Sequence, residues 1–294
     1  MYKRQALRGA KIVFADSGAV NPNIDAAALE QLITPRTRAI VPVHYGGIAC
    51  DMDTIMALAE KYNLFIIEDA AHAIAAYYKG KPLGSIGQLS AFSFHETKNI
   101  TCGEGGMLAV NDKRFSDRAA VITDKGTNRN DFIAGKTKKY EWVDLGSSYC
   151  MGELNAAFLL AQLEALDNIQ EKRNELWNQY YNGLNDVVNS DYFSLPHIPS
   201  FATHNASVFY IVCSSQPIRN SLIKGLAEAG ITAAFHYQPL HLSPFYSGQG
   251  NKQVTLANAE KYGNCLLRLP LHAGLSMDEV NYVIEQTKKI IKTI

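Results

Sequence analysis

The order in which apolar runs occur constrains this chain most. Across the first half, short aliphatic runs at residues 11–15, 39–43, 64–68, 90–94 and 107–110 alternate with helical spacing at 25–33 and 52–62. Strands separated by a helical crossover pair in parallel and bury both faces under helices. The expected fold class is therefore α/β: a mainly parallel sheet with helices on both faces, joined by right-handed crossovers. Within 52–62, Ile55, Ala59 and Tyr62 recur at helical spacing behind Asp51 as N-cap, and Asn63 ends the run.

The remainder reads differently. Residues 122–150 are polar, contain Gly126, Gly135 and Gly146, and read as a long functional loop. A long helix is expected from Met151 to about Tyr181. Its start is apolar on several sides (Leu154, Ala157, Phe158, Leu159, Ala161, Leu163), which calls for burial against its own sheet and against a second surface, such as a homodimer partner. After Pro196 and Pro199 a smaller α+β unit begins, with strands at 207–213 and 231–235 around a helix at 218–229. The last helix opens with a capping box, Ser276-x-x-Glu279, and carries Val280, Val283, Ile284 and Ile291 on its apolar face. A length of 294 residues suits two domains, a large one over 1–180 and a small one over 181–294. The start, Met1 to Gln5, runs almost at once into the 11–15 run and leaves no room for a domain opening. It reads as a scar on a truncated frame.

Composition narrows the function classes. Lys plus Arg and Asp plus Glu both number 28, so the net charge is zero; 47% of residues are hydrophobic and 19% charged. A nucleic-acid binder driven by bulk charge and a disordered acidic chain are both excluded. No run approaches the roughly 18 apolar residues of a membrane helix and no signal-peptide pattern is visible, so a cytoplasmic protein without a membrane partner is expected. Five cysteines without a C-x-x-C pair suit neither a disulfide framework nor a zinc site.

Ligands of open α/β sheets bind beyond the carboxyl ends of the strands. The run 64–68 ends in Asp69-Ala70-Ala71-His72, and the run 90–94 leads into His95-Glu96-Thr97-Lys98-Asn99, followed by Gly103-Glu104-Gly105-Gly106. Alone, such an aspartate caps the next helix and such a lysine is a solvated charge. Together they supply what pyridoxal phosphate needs: an amine able to form a Schiff base, an acid for the ring nitrogen, and hydroxyl and backbone donors for the phosphate. The glycines suit a loop whose backbone approaches a ligand closely. A dehydrogenase of the Rossmann type is excluded, because no strand leads into G-x-G-x-x-G.

Ser93-Phe94-His95-x-Thr97-Lys98-Asn99 with Gly103-Glu104-Gly105-Gly106, preceded by Glu68-Asp69-Ala70-Ala71-His72, resembles the DegT/DnrJ/StrS family of sugar aminotransferases, and the likeness runs from Leu7 to the C-terminus. Lys125-Gly126-Thr127-Asn128-Arg129, Gly146-Ser147-Ser148-Tyr149 and Phe235-His236-Tyr237-x-Pro239-Leu240-His241 are similar to the branch of dTDP-4-amino-4,6-dideoxygalactose transaminases of the enterobacterial common antigen pathway. The resemblance implies the type I fold of pyridoxal-phosphate enzymes, with aspartate aminotransferase as its pattern. It also implies a homodimer with shared active sites. Lys98 would hold the cofactor and shuttle a proton, and Asp69 would keep the pyridine nitrogen protonated. His72, expected on the same helical face as Asp69, would lie near the phenolic oxygen; Ser93 and Ser148 would reach phosphates, Ser148 across to the neighbouring subunit. His236, Tyr237 and His241 would line the sugar pocket. Glutamate would donate the amino group to a dTDP-linked 4-keto-6-deoxyhexose.

There are departures. Ser148 stands where much of the family has Asn, Cys150 stands where it has Arg, and the family's Gly-Thr phosphate segment and ring-stacking aromatic would precede Met1. The alternatives left open are a 3-keto or UDP-linked substrate, and a non-catalytic homologue or fragment. Lys98 argues against the dehydratase branch, which carries histidine there.

Overall fold

The computed structural model describes residues 2–188, 192–249 and 254–294; Met1, the first residue of the expected scar, lies outside them. One sheet is formed by β1 (Ala39–Ile40), β2 (Phe65–Asp69), β3 (Leu89–Ser93) and β4 (Gly106–Val110), in that order. β1, β2 and β3 are parallel, and β4 returns antiparallel to β3, pairing Ser93 with Gly106. The crossover from β1 to β2 runs through helix α1 (Met52–Tyr62). Asp51 caps it by accepting from Thr54 N–H at 3.3 Å, and Asn63 ends it in the left-handed conformation. Ile55 and Ala59 bury their face of α1 against Ile40 and Ile66. The mainly parallel α/β sheet is thus as expected.

Three expectations need correction. Residues 11–15 do not form a buried strand: no strand among the described residues pairs with them, and Val13 is 60% exposed. An apolar run becomes a strand only where a neighbour accepts its hydrogen bonds, and here only Ser17 bridges, to Ile24. The helix at 25–33 is two 3₁₀ turns, Ala26–Ala28 and Glu30–Leu32. Pro35 disfavours helical backbone at Thr34, just before it, and the short run tightens into 3₁₀ turns. The third concerns the helix from 151, which is broken at Ala165 into α2 (Glu153–Glu164) and α3 (Leu166–Asn185).

The second sheet has the order β5 (Phe193–Ser194), β6 (Phe209–Cys213), β8 (Leu266–Leu269) and β7 (Ala234–Phe235), all antiparallel. Helices α4 (Gln216–Glu228) and α5 (Met277–Ile291) pack on it, and α5 carries the expected capping box. Val280, Val283, Ile284 and Ile291 are buried in one core with Phe209, Ile211, Leu266 and Leu267, each worth roughly 1.5–3 kcal/mol relative to exposure. Leu176, Trp177, Tyr180 and Leu184 of α3 join that core, so α3 spans position 180 and ties its C-terminal half to the second sheet.

Candidate active site

Asp69 ends β2, and main-chain bonds hold it from both sides: its N–H donates to Pro42 O at 2.8 Å and its carbonyl accepts from His44 N–H at 3.2 Å. These bonds extend the β1–β2 ladder past the proline, which has no N–H to offer. Asp69 is 7% exposed, its Oδ1 accepts from Ala71 N–H at 3.2 Å, and no Lys, Arg or His among the described residues forms an ion pair with it. One residue back, fully buried Glu68 accepts from Gly84, Ile86 and Gly87 N–H at 2.7–2.8 Å and meets His44 Nε2 at 3.0 Å. Those hydrogen bonds hold the Glu68 carboxyl below its usual range in spite of burial, which works in the other direction.

Lys98 lies in the loop from Phe94 to Gly105, clasped between β3 and β4. Phe94 N–H donates to Gly105 O, Glu96 N–H to Gly103 O and Lys98 N–H to His95 O, each at 2.9 Å. The glycines serve this clasp: Gly103 is at φ +80°, and a Cβ on Gly106 would lie 2.9 Å from Phe92 O. Lys98 and Ser93 line one small pocket together with His72, Asn99 and Ser207. Burial lowers the Lys98 pKa, the positive charge of Arg268 lowers it further, and Asp69 opposes both. A lysine of lowered pKa offers more neutral amine for attack on an aldehyde.

No helix follows Asp69, so the expectation that His72 shares a helical face with it is corrected. Residues 70–75 form turns, closed by Ala73 N–H donating to Ala70 O at 2.9 Å. What fixes His72 comes from elsewhere in the chain. Its Nδ1 accepts from Gly46 N–H at 3.2 Å, and its carbonyl accepts from Asn205 Nδ2 at 2.7 Å. Gly47, at φ +77°, lets the Asn205 amide pass where any Cβ would collide with it. Burial, reinforced by Lys98, Arg268 and His236, lowers the His72 pKa to about 3. The ring is therefore neutral near pH 7, and with Nδ1 accepting, Nε2 carries the proton.

His72 also borders a cleft of about 1380 Å³, whose wall includes Tyr45, His236, Tyr237, His241 and Arg268. Tyr45 OH and His236 Nδ1 share a hydrogen bond at 3.0 Å; burial raises the tyrosine pKa and lowers that of His236 to about 4, so both are neutral. Tyr237 is 73% exposed, with the Arg268 guanidinium 5.2 Å from its ring centre. His241 is buried with Nε2 3.0 Å from Glu260 Oε1. Ser93 Oγ accepts from His95 N–H at 3.4 Å. Ser148 is exposed, bridged to Asp124, and does not line the Lys98 pocket.

Sequence reasoning missed Tyr45 and Arg268. Tyr45 follows the 39–43 run and was open to the same strand-end rule that singled out Asp69 and Lys98. Arg268 is a lone charge in the apolar run Leu266-Leu267-Arg268-Leu269.

These residues fit pyridoxal phosphate. Lys98, Ser93 and His72 share a pocket, and Asp69 is a buried carboxylate with no ion-pair partner among the described residues. Such an acid suits a protonated ring nitrogen.

Comparison with known proteins agrees. Residues 5–288 match the model of the DegT/DnrJ/EryC1/StrS aminotransferase family. The spore coat polysaccharide biosynthesis protein SpsC of Bacillus subtilis is 37% identical over 292 residues, which cover 97% of this chain and 74% of SpsC. GDP-perosamine synthase of Caulobacter vibrioides is 35% identical over 285 residues, covering 96% of this chain and 74% of that protein. The putative sugar aminotransferase Spr1654 of Streptococcus pneumoniae, solved in its PMP-form, superposes with a TM-score of 0.90 at 28% identity, covering 99% of this chain and 78% of the other. Its PLP-form superposes with a TM-score of 0.88.

Proposed function

The chain belongs to the DegT/DnrJ/EryC1/StrS aminotransferase family, whose aminotransferases depend on pyridoxal phosphate, and we propose that it aminates the 4-keto carbon of a dTDP-linked 4-keto-6-deoxyhexose with glutamate as donor. The observation that carries the reading is Lys98 in a half-buried pocket, its pKa lowered, with the unpaired carboxylate of Asp69 acting on it. When bound, the cofactor stores the amino group between two half-reactions and accepts the electron pair freed at the donor's α-carbon.

The protein's own groups have separable tasks in this proposal. Lys98 Nζ moves the proton removed from the donor's α-carbon, which its lowered pKa makes feasible near neutral pH. Asp69 places a buried carboxyl group where a protonated ring nitrogen can pair with it. His72 donates from Nε2 without adding charge, and Ser93 offers a hydroxyl to phosphate. His236, Tyr237 and His241 line the sugar side of the cleft. We assign residues 1–180 to the cofactor-binding domain and 181–294 to the small domain.

We also propose a homodimer with shared sites. Leu154 and Phe158, one turn apart on one side of α2, are 88% and 55% exposed, Leu160 on the opposite side is 57% exposed, and exposed apolar surface of this kind marks an interface, while Ser148 is exposed and could reach a neighbour's phosphate. Light scattering at micromolar concentration is expected to give a dimer for the native chain and a monomer for Leu154→Asp; a monomeric native chain overturns this part.

Product analysis with 4-keto and 3-keto sugars, each linked to dTDP, UDP and GDP, tests the substrate. The name of the Caulobacter relative specifies a GDP-linked sugar, so that nucleotide belongs in the panel. Preference for the dTDP 4-keto sugar is expected; preference for any other overturns the substrate assignment and leaves the reaction class intact.

A further inference from the structure

Asn205 touches the site without entering it. It is fully buried on the chain leading into β6, and its bonds run to His72, Ile74, Asn99 and Ser207, each of which lines the pocket of Lys98 while Asn205 itself does not. The side-chain amide donates to His72 O at 2.7 Å and to Ile74 O at 2.6 Å, bridging two carbonyls of the turn that carries His72. Its Oδ1 accepts from Ser207 N–H at 3.1 Å. The main-chain carbonyl of Asn205 accepts from Nδ2 of Asn99, the residue after Lys98, at 2.7 Å, and from Nε2 of Gln170 on α3. Both donors of the amide and its oxygen are thus used within the protein, as a buried amide requires.

The surrounding chain makes room for this one side chain. Gly47 leaves free the space that the Asn205 amide occupies, and the neighbouring Gly46 N–H bonds the His72 ring at Nδ1. Ala206, fully buried, is held at φ +49°, a left-handed conformation that a residue with a Cβ seldom adopts. Arg173 Nε fixes its carbonyl at 3.1 Å, and the turn it makes brings Ser207 N–H to Asn205 Oδ1. Backbone held in this way persists only where its surroundings over-determine it, and it collects at functional sites. We propose that Asn205 is a positioning residue of the reaction: its side chain sets where the His72 ring stands against Lys98. The assignment rests on the aminotransferase reading given above. The carbonyl that Asn99 holds belongs to the main chain, so a side-chain change at 205 leaves that bond in place and acts on the His72 turn and Ser207.

Three readouts separate positioning from stability alone. In the cofactor-free protein, the ring-nitrogen resonances of His72 report its bond to Gly46 N–H, and they should move in Asn205→Ala. In the cofactor-loaded protein the absorbance maximum should shift. The glutamate half-reaction at saturation should slow by on the order of a hundredfold, the cost of misplacing a reacting arrangement by about 1 Å, while half-saturating glutamate changes by less than about threefold. In a His72→Asn background the same substitution should slow the reaction by less than about threefold, because members of one hydrogen-bond network are not additive. If Asn205→Ala fails to fold, Asn205→Asp is measured in its place; it keeps the acceptor for Ser207 N–H but cannot bridge both carbonyls of the turn. Unmoved His72 resonances, an equal loss of rate in both backgrounds, or a lowered unfolding midpoint with rate and spectrum unchanged each overturns the assignment while the aminotransferase reading stands. A native protein whose cofactor spectrum does not respond to glutamate overturns that reading, and the resonances of the cofactor-free protein then decide by themselves whether Asn205 sets the ring.

Discussion

On the side of the parallel sheet, the groups of the site are held by the main chain. Asp69 is clamped at Pro42 and His44, Lys98 rides on a clasp of three backbone bonds, and Glu68 beneath them is fully satisfied by His44 and three glycine-loop amides. On the side of the second sheet, Tyr210 OH and Arg268 Nε are buried with nothing to bond to, and Tyr237 is mostly in solvent. The contrast separates two kinds of work. Groups that serve every turnover are preorganised by backbone and satisfied within the protein, while groups that meet a ligand which comes and goes are left with bonding capacity to spare.

The sharpest way to break this contrast is at Lys98. Lys98→Ala should reduce turnover by on the order of ten-thousandfold while leaving the unfolding midpoint almost unchanged, since a half-buried amine is removed and no core contact is lost. Asp69→Asn should keep the cofactor bound but slow the glutamate half-reaction by roughly a hundredfold or more, read in a stopped-flow absorbance trace.

Stability measurements sharpen the same comparison. Glu68→Ala removes one partner of a pair whose side chains are both fully buried, and should cost about 3–5 kcal/mol in a denaturant titration. Arg268→Gln removes a partly exposed guanidinium whose Nε has no acceptor and whose one hydrogen bond is to Phe235 O, and should shift stability by less than about 1 kcal/mol. Near-equal losses in the two variants would erase the distinction.

The smallest expected effect is on pH dependence. The pKa of His72 falls to about 3 in the folded chain from 6.5, and those of His204 and His236 fall to about 4, with burial as the leading cause in each. Below pH 6.5 the unfolded chain binds protons that the folded one refuses, so stability contributed by these rings is whole above that pH and declines as pH falls toward 4 and 3. His72→Asn should flatten part of that slope in thermal unfolding curves between pH 7 and pH 4; an unchanged slope would mean that His72 is not buried as described.

What could be read in advance follows the same division. Asp69, Lys98 and Ser93 stand at or just beyond strand ends, and strand ends are marked locally by an apolar run giving way to polar residues. His72 could be placed near them, but the turn that carries it is set by Gly46 and by Asn205, which lies 133 residues away. Long-range hydrogen bonds of that kind leave no local periodicity. Arg268 was hidden for a related reason: its chemistry depends on which residue of another strand it faces, and register is a tertiary property. Residues 11–15 have the composition of a strand, yet an apolar run by itself does not show whether a partner strand lies beside it.

Borohydride reduction of the cofactor-loaded protein, followed by peptide mass mapping, tests the central claim most directly. The account predicts that the reduced cofactor is attached to Lys98 alone and that Lys98→Ala takes up no label. Labelling of another lysine, or undiminished labelling of the variant, would contradict it.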